Sequence, residues 1–204
     1  MHKKLFVSLV PLLAVTAFAV MPAVAQAAPH WYKKNVLLGA APVTVATSSS
    51  SIVLNALGAT IKCKLSDAEE IWNPASGGAG EDRVTTFTLS GCKVKVASAA
   101  CPTGPISVKA EVLPWRSLLV STTPPSGVIR DEIMKVRLLV GCMSSAGTVG
   151  DEFEGTLTPE VGKGDLIFGG PGGGTLLDPS LNPLTVTGKD NLKAPPGKIT
   201  ANDP

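Results

Sequence analysis

Histidine is nearly absent from this chain of 204 residues, which contains only His2 and His30. Catalysis of the Ser-His-Asp or Cys-His type needs an imidazole that accepts a proton inside a shaped site. His30 falls close to the terminus that export is expected to create, where side chains are usually solvated. An amino-terminal copper site at His30 is also excluded, because Pro29 lacks one of the backbone amides that such a site uses. The sequence therefore predicts no histidine-based chemistry.

Motifs for metals and phosphates are lacking as well. The four cysteines contain no C-x-x-C pair, so their spacing does not fit a zinc site. The run LIFGGPGGGTLLD at 166–178 has no lysine after its glycines, although a phosphate-binding loop requires one, and Gly174 stands where a calcium β-roll repeat has Asp. We therefore expect no metal and no cofactor. The run is predicted to be a hairpin connection, exposed at 169–174, between two short apolar strands.

The chain has a single long apolar run, and it lies at the N-terminus. Lys3 and Lys4 precede apolar residues 5–20, and small residues follow up to Ala27, which is the pattern of a signal peptide at 1–27. Its removal lowers the basic residues from 18 to 16, equal to the 16 acidic ones. A neutral mature chain gives no argument for nucleic acid or for a polybasic membrane surface. We expect a secreted protein of the extracellular space or cell envelope, with no transmembrane anchor after cleavage.

Residues with alternating polarity dominate the rest of the chain. IKCKL, CKVKV, ISVKAEV and MKVRLLVGC place apolar side chains on one face and charged ones on the other, which is typical of antiparallel strands with one wet face. SDAEEIW at 66–72 fits either a short helix or the end of a strand. The prediction is an all-β fold with little helix, an antiparallel two-sheet sandwich or alternatively a β-barrel. We expect an N-terminal extension with a Ser-rich segment at 28–51 and a single β domain at 52–204.

An even number of cysteines in an exported chain predicts two disulfides, for which three pairings exist. Cys63, Cys92 and Cys142 fall on the apolar faces of strands, whereas Cys101 begins a Pro-Gly turn. We predict that Cys92–Cys101 closes a local loop and that Cys63–Cys142 joins distant strands.

Five segments, TIKCK, FTLSGCKV, CPTGPI, VGC and FEGTLTP, follow one another between residues 59 and 160. In this order the chain resembles a group of exported, β-rich hypothetical proteins of high-GC soil bacteria. The resemblance implies secretion and a β-rich fold, and it assigns no functional residue.

Acidic residues provide one candidate chemistry. Glu152 and Glu154 in DEFEG would share a strand face, where paired carboxylates could serve a glycan hydrolase. A solvated strand face is the favoured interpretation, because Phe153 would turn inward. The doublets Glu69-Glu70, Glu81-Asp82 and Asp131-Glu132 are predicted to be ordinary solubilising charges.

Aromatic residues make up only 4% of the chain, which leaves few rings for ligand stacking. Trp72 precedes NPASGGAG and Trp115 follows Pro114, so both are candidates for ligand-binding rings presented at loops, although burial at the ends of a sheet is the favoured alternative. The leading hypothesis is a non-enzymatic β-domain with a structural or interaction role. Its partner is unidentified, and cell-wall or extracellular glycan is a candidate. A carbohydrate-binding module and a carboxylate-dependent hydrolase are the alternatives.

Overall fold

A computed structural model describes residues 28–48, 51–122, 127–144, 147–170, 172–193 and 197–202. The predicted signal peptide at 1–27 lies outside these ranges. Within them the chain forms β-strands and no helix. The strands are β1 (His30–Lys33), β2 (Val36–Leu37), β3 (Val43–Ser48), β4 (Ser51–Ala56), β5 (Ala59–Trp72), β6 (Glu81–Val96), β7 (Ile106–Glu111), β8 (Trp115–Ser121), β9 (Ile129–Ser144), β10 (Gly147–Leu157), β11 (Glu160–Val161), β12 (Asp165–Phe168), β13 (Gly174–Leu177), β14 (Pro183–Lys193) and β15 (Ile199–Asn202).

The large sheet is antiparallel and closes on itself through two circuits of pairing. One circuit passes from β5 through β6, β7, β9, β10, β13, β14 and β4 back to β5. The other passes from β5 through β6, β8, β9, β11, β12, β14 and β3 back to β5. Since the long strands β5, β6, β9 and β14 belong to both circuits, the halves of the sheet face each other around one core. This sandwich-like arrangement confirms the predicted all-β antiparallel fold.

Strand direction divides the core into two ends. Antiparallel pairing makes β5 and β14 run opposite to β6 and β9, so the last residues of β5 and β14 lie level with the first residues of β6 and β9. One end of the core contains the cysteines, and we call it the cysteine end. The other contains the C-terminal parts of β5 and β14, and it is the one that the small sheet β15-β1-β2 adjoins.

The N-terminal segment is an integral part of this fold and not an extension. Trp31 in β1 is completely buried, and β3 pairs with both β5 and β14. Asn73, the residue after β5, accepts a hydrogen bond of 2.8 Å from the Trp31 amide and donates one of 2.9 Å to each of the Trp31 and Leu38 carbonyl groups. The described part of 28–51 therefore packs on the domain that was predicted to begin at residue 52.

The disulfides differ from the predicted pairing. The structure joins Cys63 to Cys92 and Cys101 to Cys142, so Cys63–Cys142 and Cys92–Cys101 are wrong. Lys62 pairs with Lys93 in the β5–β6 hairpin, which brings Cys63 and Cys92 together with their Cα atoms 4.1 Å apart. Cys142 lies in β9 beside the start of β7, and the loop before β7 carries Cys101 to it. Two disulfides therefore stabilise the β-domain, each joining segments that the ladder already makes neighbours.

The glycine-rich run connects β12 to β13, as predicted, but it is not a hairpin connection. Both strands pair with β14 and not with each other. Gly169 and Gly172 are exposed, whereas Gly170, Gly173 and Gly174 are half-buried, and the Gly173 carbonyl accepts a bond of 3.1 Å from the Thr158 amide. Pro171 lies outside the described residues. The glycine-rich run therefore turns the chain between β12 and β13, and part of it packs against the domain.

Candidate functional site

The two tryptophans predicted as ligand-facing lie in different environments. Trp115 is only 2% exposed, its ring centroid lies 5.2 Å from that of Phe87, and its Nε1 donates a bond of 2.9 Å to the Glu111 carbonyl. Trp115 is therefore a core residue that also borders a surface cleft beside Arg116 and Met134, and its ligand-facing role stays a prediction. Trp72 is half-buried at the end of β5 and keeps part of its surface accessible.

Alternation along four strands places Trp72 on an outer surface. Ile71, Asp82, Ser117 and Ile133 face the core, so the residues next to them in sequence face outward. Two adjoining clefts on this surface, of about 380 Å³ and about 420 Å³, share Arg116 and Met134. We call them together the outer groove. Its outward-facing residues are Trp72, Glu81, Arg83, Arg116, Leu118, Met134, Lys135, Val112 and Pro114.

The outer groove carries positive charge that its own acids do not balance locally. Arg83 and Arg116 lie directly opposite each other in the β6–β8 ladder, where like charges destabilise a sheet. Arg83 is ion-paired with Glu70 on β5. Arg116 is exposed and has no ion pair with another described residue. Its guanidinium therefore remains available to an anion.

Backbone strain is concentrated at one end of the groove. Val112 and Lys135 have φ angles of 57° and 55°, in the left-handed region that residues other than glycine rarely adopt. Val112 is β-branched, for which this conformation is a genuine outlier, and it is nevertheless 68% exposed. Met134, beside Lys135, is 37% exposed. Strained residues of this kind often lie at functional sites, and here two of them border one cleft with exposed apolar side chains.

The paired carboxylates that suggested a hydrolase lie elsewhere. Glu152 Oε1 and Glu154 Oε2 are 2.7 Å and 2.8 Å from Nε and Nη2 of Arg137, while Phe153 between them is completely buried. These neighbours raise the pKa of the Arg137 guanidinium above its usual value, mainly through the hydrogen bond that Arg137 donates to Glu154. Phe153 turns inward as predicted, while Glu152 and Glu154 line a small cleft of about 260 Å³ with Asp178, so the choice between a solvated strand face and a carboxylate site stays a prediction. One cation is bound by both acids, which leaves neither as an isolated acid or nucleophile.

The acidic doublets differ from the prediction that they are ordinary solubilising charges. One member of each doublet is buried and not solubilising, namely Glu69, Asp82 and Asp131, because neighbouring residues of a strand point to opposite faces. Asp67 and Asp190 are buried as well. We call these five residues the acidic cluster. The period-two pattern contained the signal, since Asp67 and Glu69 continue the inward face to which Cys63 belongs.

Four carboxyl groups of the acidic cluster, those of Asp67, Glu69, Asp82 and Asp131, have raised pKa values. Desolvation is the largest cause in each case, raising the pKa of Asp67 to about 11 and that of Asp82 to about 6. The pKa values of Glu69 and Asp131 lie well above their ordinary range, also because Asp82 repels both of them. Ser117 donates a hydrogen bond to Asp131 Oδ1. Among the residues described, no group of three or more His, Cys, Asp or Glu side chains has an arrangement that could hold a metal ion.

No helix in the described ranges is long and apolar enough to cross a membrane. Comparison of the chain with protein-family models, with curated proteins and with solved structures finds no match.

Proposed function

We propose that this protein is an exported β-domain that acts by binding, and that its ligand is an acidic carbohydrate of the cell envelope or the extracellular space held in the outer groove. The observation that carries the proposal is the continuity of that groove. It joins a partly exposed indole, Trp72, to a guanidinium without an ion pair among the described residues, Arg116, over a surface with strained and exposed apolar residues.

The chemistry of the groove fits a sugar acid. The apolar face of a pyranose ring can stack on the Trp72 indole, which is rigid and loses little entropy on binding. The planar fork of Arg116 matches a carboxylate in a bidentate geometry. Since Arg83 already has Glu70 as a partner, Arg116 is the group we assign to the ligand. A hydrogen bond to a charged group contributes about 1.5–3 kcal/mol, so loss of Arg116 should weaken binding roughly 10-fold to 100-fold.

Export is supported by two features that do not depend on the groove. Residues 1–27 have the charge, apolar core and small-residue end of a signal peptide. The two disulfides suit an oxidising compartment. Mass spectrometry of the protein expressed in a bacterial host should find it outside the cytoplasm with residues 1–27 removed. Retention of those residues in a cytoplasmic protein would contradict this part of the proposal.

Tryptophan fluorescence and calorimetry test the binding. Trp31 and Trp115 are buried and Trp72 is half-buried, so we expect a ligand-induced change in emission mainly from Trp72. Oligogalacturonate and peptidoglycan fragments carry carboxylates, and neutral cello- and xylo-oligosaccharides serve as comparison ligands. We expect binding of an acidic oligosaccharide that Trp72→Ala abolishes.

A pair of charge variants separates the groove from the rest of the surface. Arg116→Ala should weaken binding by the factor given above, whereas Lys189→Ala, which removes an exposed cation on β14, should leave the affinity unchanged. No response to any acidic glycan would refute the proposal. Equal weakening by Arg116→Ala and Lys189→Ala would show nonspecific attraction of an anion and would refute it too.

A further inference from the structure

The acidic cluster is an unusual interior for a β-domain. Its five carboxyl groups come from the C-terminal parts of β5 and β14 and the first residues of β6 and β9, which the strand directions bring to the same end of the core. Glu69 and Asp82 are each 1% exposed and Asp131 is fully buried. None of the buried residues in the described part of the chain is Lys, Arg or His. Among the described residues, Glu69, Asp82 and Asp131 therefore have no buried cation to pair with.

At Glu69 and Asp82, hydrogen bonding does not replace the missing cation. Glu69 lies against Asp67 and Asp82 lies against Asp131, yet neither oxygen of Glu69 or Asp82 makes a hydrogen bond of normal geometry. A buried carboxylate in this position loses its hydration without compensation, and such a group normally becomes neutral by binding a proton. Two neighbouring carboxyl groups can share that proton, because the neutral member then donates to the charged one.

We propose that the acidic cluster is a proton-dependent switch of stability. The chain takes up protons into the cluster when it folds near neutral pH, and the folded domain becomes less stable as the pH rises and these protons are lost. This device suits a domain that stays folded in an acidic surrounding and loosens in an alkaline one. It does not require the ligand proposed for the outer groove, although Asp82 and Ser117 belong to the lining of its 380 Å³ cleft.

The groups that face the cluster support this assignment. From β8, Ser117 donates to Asp131, and from β9, Glu132 adds repulsion to Asp131. The core residues of β3 and β12 at this end include Val45 and Leu166, which are apolar. From the small sheet, Trp31 and Ile199 are buried, and His30 is half-buried beside Trp31. The charged neighbours that raise the pKa values of Asp67, Glu69 and Asp131 are thus other acids.

The sign of the effect follows from linkage. The carboxyl pKa values are higher in the folded chain than in the unfolded one, where they are near 4. Stability is therefore greatest below about pH 4 and declines as the pH rises through the folded-state values. Part of the loss is centred on Asp82, with a pKa of about 6, and part on Asp67, with a pKa of about 11. For each proton that only the folded state holds, the folding equilibrium constant falls tenfold for every unit by which the pH rises.

Urea unfolding between about pH 3.5 and pH 9, in chelated buffer, measures this dependence. We expect the folding equilibrium constant to fall at least tenfold per pH unit between about pH 5 and pH 8. Infrared spectra at pH 7 should contain the C=O absorption of protonated carboxyl groups. Glu69→Gln and Asp131→Asn keep the shape and remove the proton, so each should reduce the slope by up to tenfold per pH unit. Glu154→Gln, at an exposed acid, should leave it unchanged.

Two results would overturn the proposal. The first is a wild-type stability that stays constant or rises from pH 5 to pH 8, together with an infrared spectrum that lacks the band of protonated carboxyl groups. This result does not depend on whether any variant folds. The second is a millimolar Ca²⁺ or Mn²⁺ concentration that raises the unfolding midpoint at pH 7 and removes the pH slope, because the cluster would then be a cation site.

Discussion

Removal of the Cys63–Cys92 disulfide tests the arrangement of the β5–β6 hairpin directly. The double variant Cys63→Ala/Cys92→Ala deletes one bridge and, by the structure, leaves Cys101–Cys142 intact. The bridge spans a sequence separation of 29. In the chain-entropy model a loop of this size stabilises the folded state by about 4 kcal/mol, because it restricts the unfolded chain. The ladder between β5 and β6 holds the two segments together in the variant, so we expect it to fold with reduced stability.

The size of the loss sets the assay. For a domain of this length, about 4 kcal/mol corresponds to a fall in Tm of roughly 8–16 °C. Calorimetry and urea unfolding at pH 5 measure it, and titration with a thiol reagent after unfolding counts free cysteines. The matched control is Cys63→Ala/Cys142→Ala, which breaks both observed bridges and leaves Cys92 and Cys101 as partnerless thiols. We expect no free thiol in the first variant and two in the second.

The opposite thiol counts would refute the reasoning. If Cys63 were joined to Cys142, the control would retain one bridge and contain no free thiol, while Cys63→Ala/Cys92→Ala would contain two. A fall in Tm of less than about 2 °C in Cys63→Ala/Cys92→Ala would separately refute the loop-entropy argument for this bridge.

Two further predictions concern single residues. Asn73→Ala removes three hydrogen bonds to Trp31 and Leu38, so it should lower the free energy of unfolding by about 3 kcal/mol and make acrylamide quenching of Trp31 faster. The control Asn202→Ala, at an exposed position, should change the free energy of unfolding by less than about 0.5 kcal/mol. Equal losses in the two variants would contradict the role given to Asn73. Gly174→Ala should lower the free energy of unfolding, measured with urea, by at least about 2 kcal/mol, because a Cβ at φ 80° would overlap the Thr156 carbonyl oxygen and lie 2.9 Å from the Leu157 Cα. The control Gly77→Ala, at φ 78° in open space, should lower it clearly less. A Gly174→Ala variant of unchanged stability would show that the glycine-rich run does not pack as described.

Part of the candidate site was accessible from the sequence. Trp72 was identified because it stands at the end of an alternating run before a turn, and the structure leaves it partly exposed. Trp115 has a similar sequence context but is buried against Phe87, since β7 and β8 bring it over the core. The groove itself was not predictable, because Arg83, Arg116 and Met134 come from three strands whose register no local pattern specifies.

The acidic cluster, too, was only partly predictable from the sequence. Alternation within β5 is enough to place Asp67 and Glu69 on the face of Cys63, and this was missed because carboxylates are rarely buried without a partner. The arrival of Asp82, Asp131 and Asp190 at that end depends on strand directions across the whole sheet.

The sequence by itself determined the all-β class, the alternation of faces and the presence of enough cysteine for two bridges. These properties depend on side-chain periodicity over a few residues, which a strand imposes locally. The tertiary structure alone decided which cysteines pair, which tryptophan is accessible, and which acids share the core. Those outcomes depend on register and on contacts between residues far apart in the chain, and a one-residue change of register would reverse every face.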